Sequence, residues 1–198
     1  MSEAEGPWVE PEEARCGLLL TAPAALGADL AAVLATGAVV ALIAQGDHAN
    51  VRTVCAEHGV ACLALDELDQ GTDGVHLRDP GKVAGARRRL GPGAIIGASC
   101  GRSRHLAMVA GEDGADYVLF AGADSEELLD LCRWWSELFF LPCAVEGIGP
   151  EIASYIEAGA DFIAIGEALW GHPDGAPQAA RFLLDQIDEA RRKRQEFA

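Results

Sequence analysis

The sequence has only two lysines, Lys82 and Lys193, and its formal net charge at pH 7 is −16. Binding to nucleic acid or to an anionic membrane requires a positive protein surface, so this charge balance argues against both as partners. A phosphorylated small molecule is still compatible with it, because a small ligand responds to its own pocket more than to the average field of the protein.

Long apolar runs are also missing. No stretch approaches 18 uninterrupted apolar residues, which excludes a transmembrane helix. The first sixteen residues are acidic and contain Pro7 and Pro11, whereas a signal peptide has a basic start and an apolar run. We therefore expect a cytoplasmic protein, with a flexible acidic arm over residues 1–16 and one domain over residues 17–198.

Metal-binding cysteine patterns are absent as well. The six cysteines include no C-x-x-C pair and no Cys/His spacing typical of a zinc site. Most of them lie in apolar stretches, where a cysteine is usually a small buried hydrophobic residue. The sequence therefore predicts structural thiols, except at Cys100, which lies among polar and basic residues.

What the sequence does have is an internal repeat. GTDGVHL at 71–77, GADYVLF at 114–120 and GADFIAI at 159–165 each combine Gly, a small residue and Asp with a short apolar segment, and TGAVVALIA at 36–44 is a looser copy. Such a unit is typical of a helix that ends at a left-handed glycine and leads into a strand buried on both faces. Alternating strands and helices favour a parallel α/β fold over a solenoid.

The pattern yields eight strands with amphipathic helices between most of them. The predicted strands are Gly17–Thr21, Val39–Ala44, Ala61–Leu65, Gly74–Leu77, Ala94–Ala98, Tyr117–Ala121, Cys143–Glu146 and Phe162–Gly166. The predicted helices are Asp29–Thr36, Asn50–His58, Gly81–Leu90, Arg104–Glu112, Ser125–Leu138, Pro150–Ala158 and Gln178–Arg192. Only a turn fits between the third and fourth strands. We predict a compact, single-domain (β/α)8 TIM barrel of the α/β class. A doubly wound open sheet is the alternative, but the chain lacks a Gly-rich phosphate fingerprint after its first strand.

In a barrel of this kind, ligands bind at the carboxyl ends of the strands. His76 lies within its strand and is predicted to be a packed histidine of the barrel. Three arginines, Arg78, Arg102 and Arg104, form the one cationic cluster expected on the catalytic rim, where planar guanidinium groups suit a pyrophosphate. Alternatively, they cap helices or pair with the abundant carboxylates.

The ordered blocks GTDGVHLRDP, KVAGARRRLGPGAIIGASC, GADYVLF and PCAVEGIGPEIASYIEAGADFIAIGEALW resemble the thiamine phosphate synthase and thiazole tautomerase family. The resemblance extends from about Gly17 to Trp170. It implies a reaction in which a thiazole phosphate attacks a pyrimidine methyl pyrophosphate, and the pyrophosphate leaves with the help of Mg²⁺.

The resemblance also implies roles for individual residues. Asp66 matches the metal-binding Asp of the family, and Asp79 is a second expected Mg²⁺ ligand. Ser99 matches the serine of a Gly-x-Ser strand end. The alternatives are a helix N-cap for Asp66, a turn residue for Asp79 and an ordinary loop hydroxyl for Ser99. Cys100, next in the chain, is either a catalytic thiol with a lowered pKa or an unreactive one.

The sequence departs from the family on the other half of the rim. The Arg-x-Lys after strand two is absent from ALIAQGD, and FAGADSEE replaces the Pro-Thr-x-Thr-Lys loop. The expected phosphate cradle retains Gly147, Gly149 and Gly166, but Glu146 and Glu167 stand where the family has Gly and Ser. A carboxylate ~4 Å from a phosphate costs on the order of 4 kcal/mol in a half-solvated site. Side chains alternate along a strand, so the two glutamates need not both face the ligand.

Three functions therefore stay open. The chain is a synthase that uses Mg²⁺, or a barrel that lost this reaction and binds or senses a small metabolite, or an enzyme that uses Glu146 and Glu167 as acid and base or to bind a cation. The expected partner is a small phosphorylated metabolite. A homo-oligomer could form through Trp134, Trp135 or Phe139–Phe140, unless these side chains pack a barrel helix instead.

Overall fold

A computed structural model describes residues 16–22, 29–46, 49–67 and 71–196 of the chain, with the side chains of 194–196 left out. Eight parallel strands pair in sequence order and close into a barrel, β8 lying beside β1. The strands are β1 (Gly17–Thr21), β2 (Val39–Ala44), β3 (Ala61–Leu65), β4 (Gly74–Leu77), β5 (Ile95–Gly101), β6 (Tyr117–Phe120), β7 (Cys143–Glu146) and β8 (Phe162–Ile165). The predicted TIM barrel is confirmed, and the open sheet is excluded.

Helices follow most of the strands and surround the barrel. They are α1 (Asp29–Leu34), α2 (Ala49–Glu57), α3 (Val83–Leu90), α4 (Arg104–Glu112), α5 (Ser125–Leu138), α6 (Glu151–Glu157), α7 (Glu167–Trp170) and α8 (Ala176–Glu196), and a 3-10 turn over Pro80–Lys82 leads into α3. The described residues between β3 and β4 form bends and a turn, as the short spacing predicts.

The bounds of several helices and strands differ from the prediction by one to four residues, and two differences bear on the carboxyl ends of the strands. Strand β5 continues to Gly101 because its pairing with β6 contains an irregularity between Ser99 and Gly101, and Gly101 takes the positive φ of 55°. Helix α7 is absent from the prediction because four residues are too few to show a helical period. The indole Nε1 of Trp170 donates to the carbonyl of Thr21, which ties this short helix to the end of β1.

The repeated Asp of the sequence has a structural role at the amino ends of the strands. In each Gly-x-Asp unit, the carboxylate accepts a hydrogen bond from a backbone N–H at the start of the preceding strand. The bonds are Cys62 N to Asp73 (2.7 Å), Ile96 N to Asp116 (2.6 Å) and Cys143 N to Asp161 (2.8 Å). We call these three contacts the aspartate clamps. They give three backbone donors a carboxylate acceptor at the amino-terminal edge of the barrel.

The second clamp is reinforced by an arginine from helix α3. Arg87 donates to the Asp116 carboxylate at 2.5 Å and to the carbonyls of Gly91, Ala94 and Gly114. One guanidinium therefore joins the end of α3 to the chain before β5 and before β6. Charge-assisted hydrogen bonds of this kind are stronger than neutral ones.

Alternation along the strands divides the buried residues into two layers. A small cluster fills the barrel interior: Leu19, Ile43, Leu63, Ile95, Tyr117, Ala144 and Ala164. The larger cluster lies between the barrel wall and the helices. All six cysteines are buried, as expected for the five that were predicted to be structural thiols.

The structure also bears on the predicted arm over residues 1–16 and on the aromatic residues of α5 and its end. The predicted flexible arm lies outside the described residues except for Cys16, which packs against the core. Trp135 is fully buried, so it packs a helix, whereas Phe140 is fully exposed. In the described part of the chain, no helix combines the length and apolar character needed to cross a membrane.

Candidate functional site at the carboxyl ends of the strands

Asp66 stands directly after β3 and is the one non-glycine among the described residues with a positive φ, at 59°. Its Oδ1 accepts from the backbone N–H of Arg78 at 2.8 Å, and its Oδ2 accepts from the Arg78 guanidinium. Partial burial would raise the pKa of this carboxyl, but the hydrogen bonds and charge of Arg78 outweigh it and lower the pKa. Asp66 is therefore ionised at neutral pH. Its hydrogen bonds with Arg78, in the loop after β4, hold the residue in this backbone conformation.

Asp79 follows Arg78 in the loop after β4. Its Oδ1 accepts from the N–H of Gly81 at 3.0 Å and caps the 3-10 turn that starts at Pro80. This is the turn role predicted as the alternative to a metal ligand. Oδ2 of Asp79 has no hydrogen bond to the described residues and the residue is exposed, so the turn role leaves one oxygen available.

Asp66 and Asp79 fit one mode of Mg²⁺ binding, in which the protein supplies only part of the coordination shell. Asp66 and Asp79 supply hard carboxylate oxygens from neighbouring loops, which is the ligand type that Mg²⁺ takes. The described residues contain no group of three or more His, Cys, Asp or Glu side chains that could hold a metal ion. Mg²⁺ commonly binds one or two carboxylates and completes its shell with water and substrate phosphates, so the two aspartates fit that mode.

Ser99 and Cys100 separate because side chains alternate along β5. The hydroxyl of Ser99 lies in the barrel, 2.8 Å from Nε2 of His76. The thiol of Cys100 belongs to the outer cluster against the helices and donates to the carbonyl of Ala98. Burial raises the pKa of the Cys100 thiol to about 12, which supports the unreactive alternative over a thiol with a lowered pKa.

A buried polar chain connects the barrel interior with this rim. The hydroxyl of Tyr117 lies 2.7 Å from Nδ1 of His76, and the Nε2 of the same ring faces Ser99. The His76 and Tyr117 rings are stacked with their centroids 5.6 Å apart. His76 is buried, as predicted, and burial lowers its pKa to about 4, with the charge of Asp66 opposing the shift. At neutral pH His76 is therefore uncharged.

The three arginines each have a partner in the structure. Arg78 pairs with Asp66, Arg102 pairs with Glu127 at 2.5 Å, and the Arg104 guanidinium lies 4.7 Å from the ring centre of Trp134. The predicted alternative, that they pair with carboxylates, thus describes Arg78 and Arg102. Both pairs are exposed at the arginine, and exposed pairs of this kind contribute little to stability. A phosphate group could therefore compete for either guanidinium.

A cleft of about 280 Å³ lies at the carboxyl ends of β6, β7 and β8. Glu146, Gly147 and Gly166 line it, together with Glu151 and Tyr155 from α6. Glu167 is exposed and is not among the lining residues, so only one of the two expected glutamates faces the cleft. Gly149, with a φ of 124°, forms the turn into α6.

The cleft is negatively charged. Its described lining contains the two carboxylates of Glu146 and Glu151 and no lysine or arginine. The pKa of Tyr155 is raised by burial and then by the nearby charge of Glu151. The charge of this half of the rim disfavours a phosphate, whereas the residues after β4 and β5 include the arginines Arg78 and Arg102.

Three residues of the site were missed from sequence alone. Tyr117 reads as one more apolar strand residue in GADYVLF, and Glu151 and Tyr155 read as members of an amphipathic helix. A signal for Tyr117 exists in hindsight, because Gly97 stands opposite it. A Cβ atom at Gly97 would lie 2.1 Å from Cζ of the Tyr117 ring, so the glycine provides the space for that ring.

Comparison with known proteins agrees with the fold and assigns a family. A sequence model described as thiamine monophosphate synthase matches residues 43–169. The thiamine-phosphate synthase of Erythrobacter litoralis is 41% identical over 157 residues, covering 71% of this chain and 73% of that protein. The thiamine-phosphate synthase of Hyphomonas neptunium is 44% identical over 149 residues, covering 67% of each.

Among solved structures, the chain is similar to one in the Amycolatopsis orientalis BexX/CysO complex, with a TM-score of 0.69 and 15% identity over 97% of both chains. It is also similar to orotidine 5'-phosphate decarboxylase from Pyrococcus horikoshii, with a TM-score of 0.60 and 16% identity over 86% of this chain and 99% of that one. At these identities the structural matches establish the barrel fold alone.

Proposed function

Since the chain belongs to the thiamine monophosphate synthase family, with a family-level function in thiamine biosynthesis, we propose that it joins a pyrimidine pyrophosphate to a thiazole phosphate. In this reaction the thiazole nitrogen forms a bond to the pyrimidine methylene carbon, and the bond from that carbon to the pyrophosphate oxygen breaks. Negative charge grows on the departing pyrophosphate, so catalysis requires groups that stabilise it.

One observation carries the proposal: the residues suited to a pyrophosphate all lie after β3, β4 and β5. Asp66, Arg78 and Asp79 lie on two adjacent loops, and Arg102 follows β5. Asp66 and Asp79 are the residues that would hold Mg²⁺. When bound, the ion would neutralise part of the charge on the leaving pyrophosphate.

Arg78 and Arg102 are the proposed pyrophosphate ligands. Each would exchange its carboxylate partner, Asp66 or Glu127, for phosphate oxygens, which guanidinium groups bind through two parallel hydrogen bonds. The exchange at Arg78 would also release Oδ2 of Asp66 for the metal ion, while Oδ1 keeps its hydrogen bond from the Arg78 backbone N–H. Arg104 has a weaker claim, because its guanidinium already lies over Trp134.

Ser99 is the proposed polar contact of the pyrimidine, since its hydroxyl is partly exposed at the mouth of the barrel. The neighbouring Cys100 has no part in the proposal because its thiol lies on the outer side of the wall. The interior below Ser99 is filled by side chains, so a substrate would lie above this hydroxyl and not within the barrel.

The direct test is to incubate the purified full chain with both thiamine precursors and Mg²⁺ and to measure thiamine phosphate. We expect product, with a loss of about a hundredfold in kcat/KM for Arg78→Ala, because one charge-assisted contact is worth roughly 3 kcal/mol. Arg133→Ala, which removes an exposed arginine paired with Asp130 on α5, is the matched control. No product at high enzyme concentration would exclude the synthase function.

A second function is favoured by one specific feature, the acidic cleft. A barrel that has lost the synthase reaction, or one with a different reaction, would use Glu146 with Glu151 to bind a cationic group. The sequence pairs Glu146 with Glu167 for this role, but Glu167 does not line the cleft, so Glu151 is the better partner. A thermal-shift panel separates the functions, since a true ligand stabilises the folded state by mass action. Stabilisation by amines but not by pyrophosphate with Mg²⁺ would favour this alternative.

The proposed setting is the cytoplasm, with small phosphorylated metabolites as partners. We also propose a homo-oligomer in which Leu138 and Phe140, both exposed at the end of α5, are covered by a second copy. Light scattering on the eluted protein measures the mass. A monomer at micromolar concentration, or an oligomer unaffected by Phe140→Ser, would contradict this part.

A further inference from the structure

We propose that Tyr117 is a positioning residue that fixes the tautomer of His76, so that Ser99 faces the ligand as a hydrogen-bond donor. The inference rests on the proposed function, because it takes the mouth of the barrel above Ser99 to be the substrate site. It assigns a role to two buried residues that touch no substrate and act only through the Ser99 hydroxyl.

The geometry forms one continuous path. The Tyr117 hydroxyl lies 2.7 Å from Nδ1 of His76, and Nε2 of the same ring lies 2.8 Å from Oγ of Ser99. Both distances are those of normal hydrogen bonds. Tyr117 and His76 are buried, whereas Ser99 is partly exposed, so the path runs from the barrel interior to the rim.

The direction of the path follows from the Tyr117 end. Around its ring lie the apolar side chains of the interior cluster, and Nδ1 of His76 is the one hydrogen-bond partner that its hydroxyl has within the described part of the chain. If the hydroxyl accepted a hydrogen bond from an Nδ1–H, its own hydrogen would be buried without a partner among the described residues. An unpaired buried donor costs about 1–3 kcal/mol, so Tyr117 donates.

The rest of the path is then determined. A neutral imidazole that accepts at Nδ1 carries its hydrogen on Nε2, and that hydrogen points at Oγ of Ser99. Ser99 accepts this bond, so its own hydrogen is free to point away from His76, toward the mouth of the barrel. The ring is buried, which disfavours its charged form and favours the neutral ring that this assignment needs.

The sequence provides for the Tyr117 hydroxyl at a second position. A Cβ atom at Gly97 would lie 2.3 Å from the Tyr117 oxygen, so any larger residue on this part of β5 would displace the hydroxyl from His76. With the hydrogen on Nε2 of His76, the Ser99 hydrogen is not used within the path, so a ligand with an acceptor atom above Ser99 can receive it.

The first test measures the tautomer in the substrate-free protein. Nitrogen-15 NMR distinguishes protonated from unprotonated imidazole nitrogens, and the His76 signals are identified by their absence from the spectrum of His76→Gln. We expect hydrogen on Nε2 in the wild type and a shift toward the Nδ1–H form in Tyr117→Phe. Hydrogen on Nδ1 in the wild type would overturn the inference, whatever the activity of the protein.

The second test is a double-mutant cycle on kcat/KM with Tyr117→Phe, Ser99→Ala and the two combined. If Tyr117 acts through Ser99, we expect a loss of about fivefold for Tyr117→Phe alone, the value of one ordinary hydrogen bond. The same change should cost less than about twofold when Ser99 is already Ala. Equal losses in both backgrounds would mean a purely structural role and would overturn the proposal.

The failures of the two proposals are distinguishable. If the protein forms no thiamine phosphate, the cycle is run on the dissociation constant of the pyrimidine pyrophosphate with Mg²⁺. Coupling between Tyr117 and Ser99 in binding, with no turnover, would contradict the synthase function and support the positioning role. A protein that binds neither substrate would contradict the ligand-facing role of Ser99 as well.

Discussion

Ser99 and Cys100 are consecutive residues of β5 that lie on opposite sides of the barrel wall. The Ser99 hydroxyl contacts His76 inside the barrel, and the Cys100 thiol packs against the helices outside it. The two polar candidates of this strand end are therefore not equivalent. Only the serine is placed to contact a molecule at the mouth of the barrel.

This arrangement predicts the reactivity of the thiols. All six cysteines are buried, and burial raises the Cys100 pKa to about 12, so little thiolate forms near neutral pH. We expect no cysteine of the native protein to react with a thiol-specific disulfide reagent at pH 8 within minutes, and all six to react in denaturant. Fast native labelling that mass spectrometry locates at Cys100 would contradict the buried placement.

Removal of an aspartate clamp should destabilise the protein by an amount that depends on how many contacts the carboxylate makes. Asp161→Ala leaves the Cys143 N–H without its acceptor, and we expect a loss of about 1–2 kcal/mol in the free energy of unfolding. Asp116→Ala should cost more, about 3 kcal/mol, because the Arg87 guanidinium also loses its only carboxylate partner among the described residues, although it keeps its carbonyl contacts. Urea unfolding measures both.

Asp130→Ala is the control for that series, since its carboxylate has only an exposed contact with Arg133 at 3.5 Å. We expect a change within about 0.5 kcal/mol. A loss as large as that of Asp116→Ala would mean that any aspartate substitution destabilises this acidic chain, and that the clamps contribute nothing specific.

Gly97→Ala tests the space that the Tyr117 ring requires. The added methyl group would overlap the ring, and overpacking of this kind costs about 1–3 kcal/mol. Tyr117→Leu in the same chain removes the overlapping atoms, so the double variant should lose less stability than the sum of the two single losses. Simple additivity in thermal or urea unfolding would show that the two sites are not in contact.

The pH dependence of stability follows from His76. Its pKa of about 4 in the folded state is below the ordinary histidine value of about 6.5, because burial disfavours the charged ring. Between these values the unfolded chain binds more protons, so the stabilisation is complete above about pH 6.5 and is lost as the pH falls toward 4. The shift corresponds to roughly 3 kcal/mol in all.

Urea unfolding between pH 4 and 7 measures this effect, and His76→Gln provides the comparison. The difference in stability between the wild type and the variant should shrink as the pH falls through this window. A difference that is constant with pH would mean that His76 is not neutral and buried in the folded state.

Glu146 predicts the anion affinity of the cleft. Its carboxylate lines the cleft, whereas that of Glu167 does not. We expect Glu146→Ala to tighten the binding of inorganic phosphate about tenfold at low salt, because a repulsive charge is removed, and the gain to fade with added salt. Calorimetric titration measures it, and Glu167→Ala, expected to change little, is the control. Equal effects would mean that only net charge matters.

The sequence predicts the barrel well because the repeated Gly-x-Asp units mark where strands begin. The strands are short apolar runs, and amphipathic patterns mark most of the helices between them. It predicts Asp66, Arg78 and Ser99 as rim residues because ligands of such barrels bind where strands end. Sequence alone cannot tell which way Glu146 and Glu167 point, since this depends on where β7 and β8 stop and where the following helices start. It also misses Tyr117, because a buried tyrosine in an apolar strand is typical of a core residue.

The clamps and the proposed catalytic residues lie at opposite ends of the same strands. Asp73, Asp116 and Asp161 are at the amino ends, and the candidate ligands of the substrate are at the carboxyl ends. Substitutions on the catalytic rim therefore leave the polar contacts that fasten the strands intact. A barrel built this way is evolvable: residues at the carboxyl ends of its strands, such as Glu146, can be exchanged without loss of the contacts that fasten the amino ends.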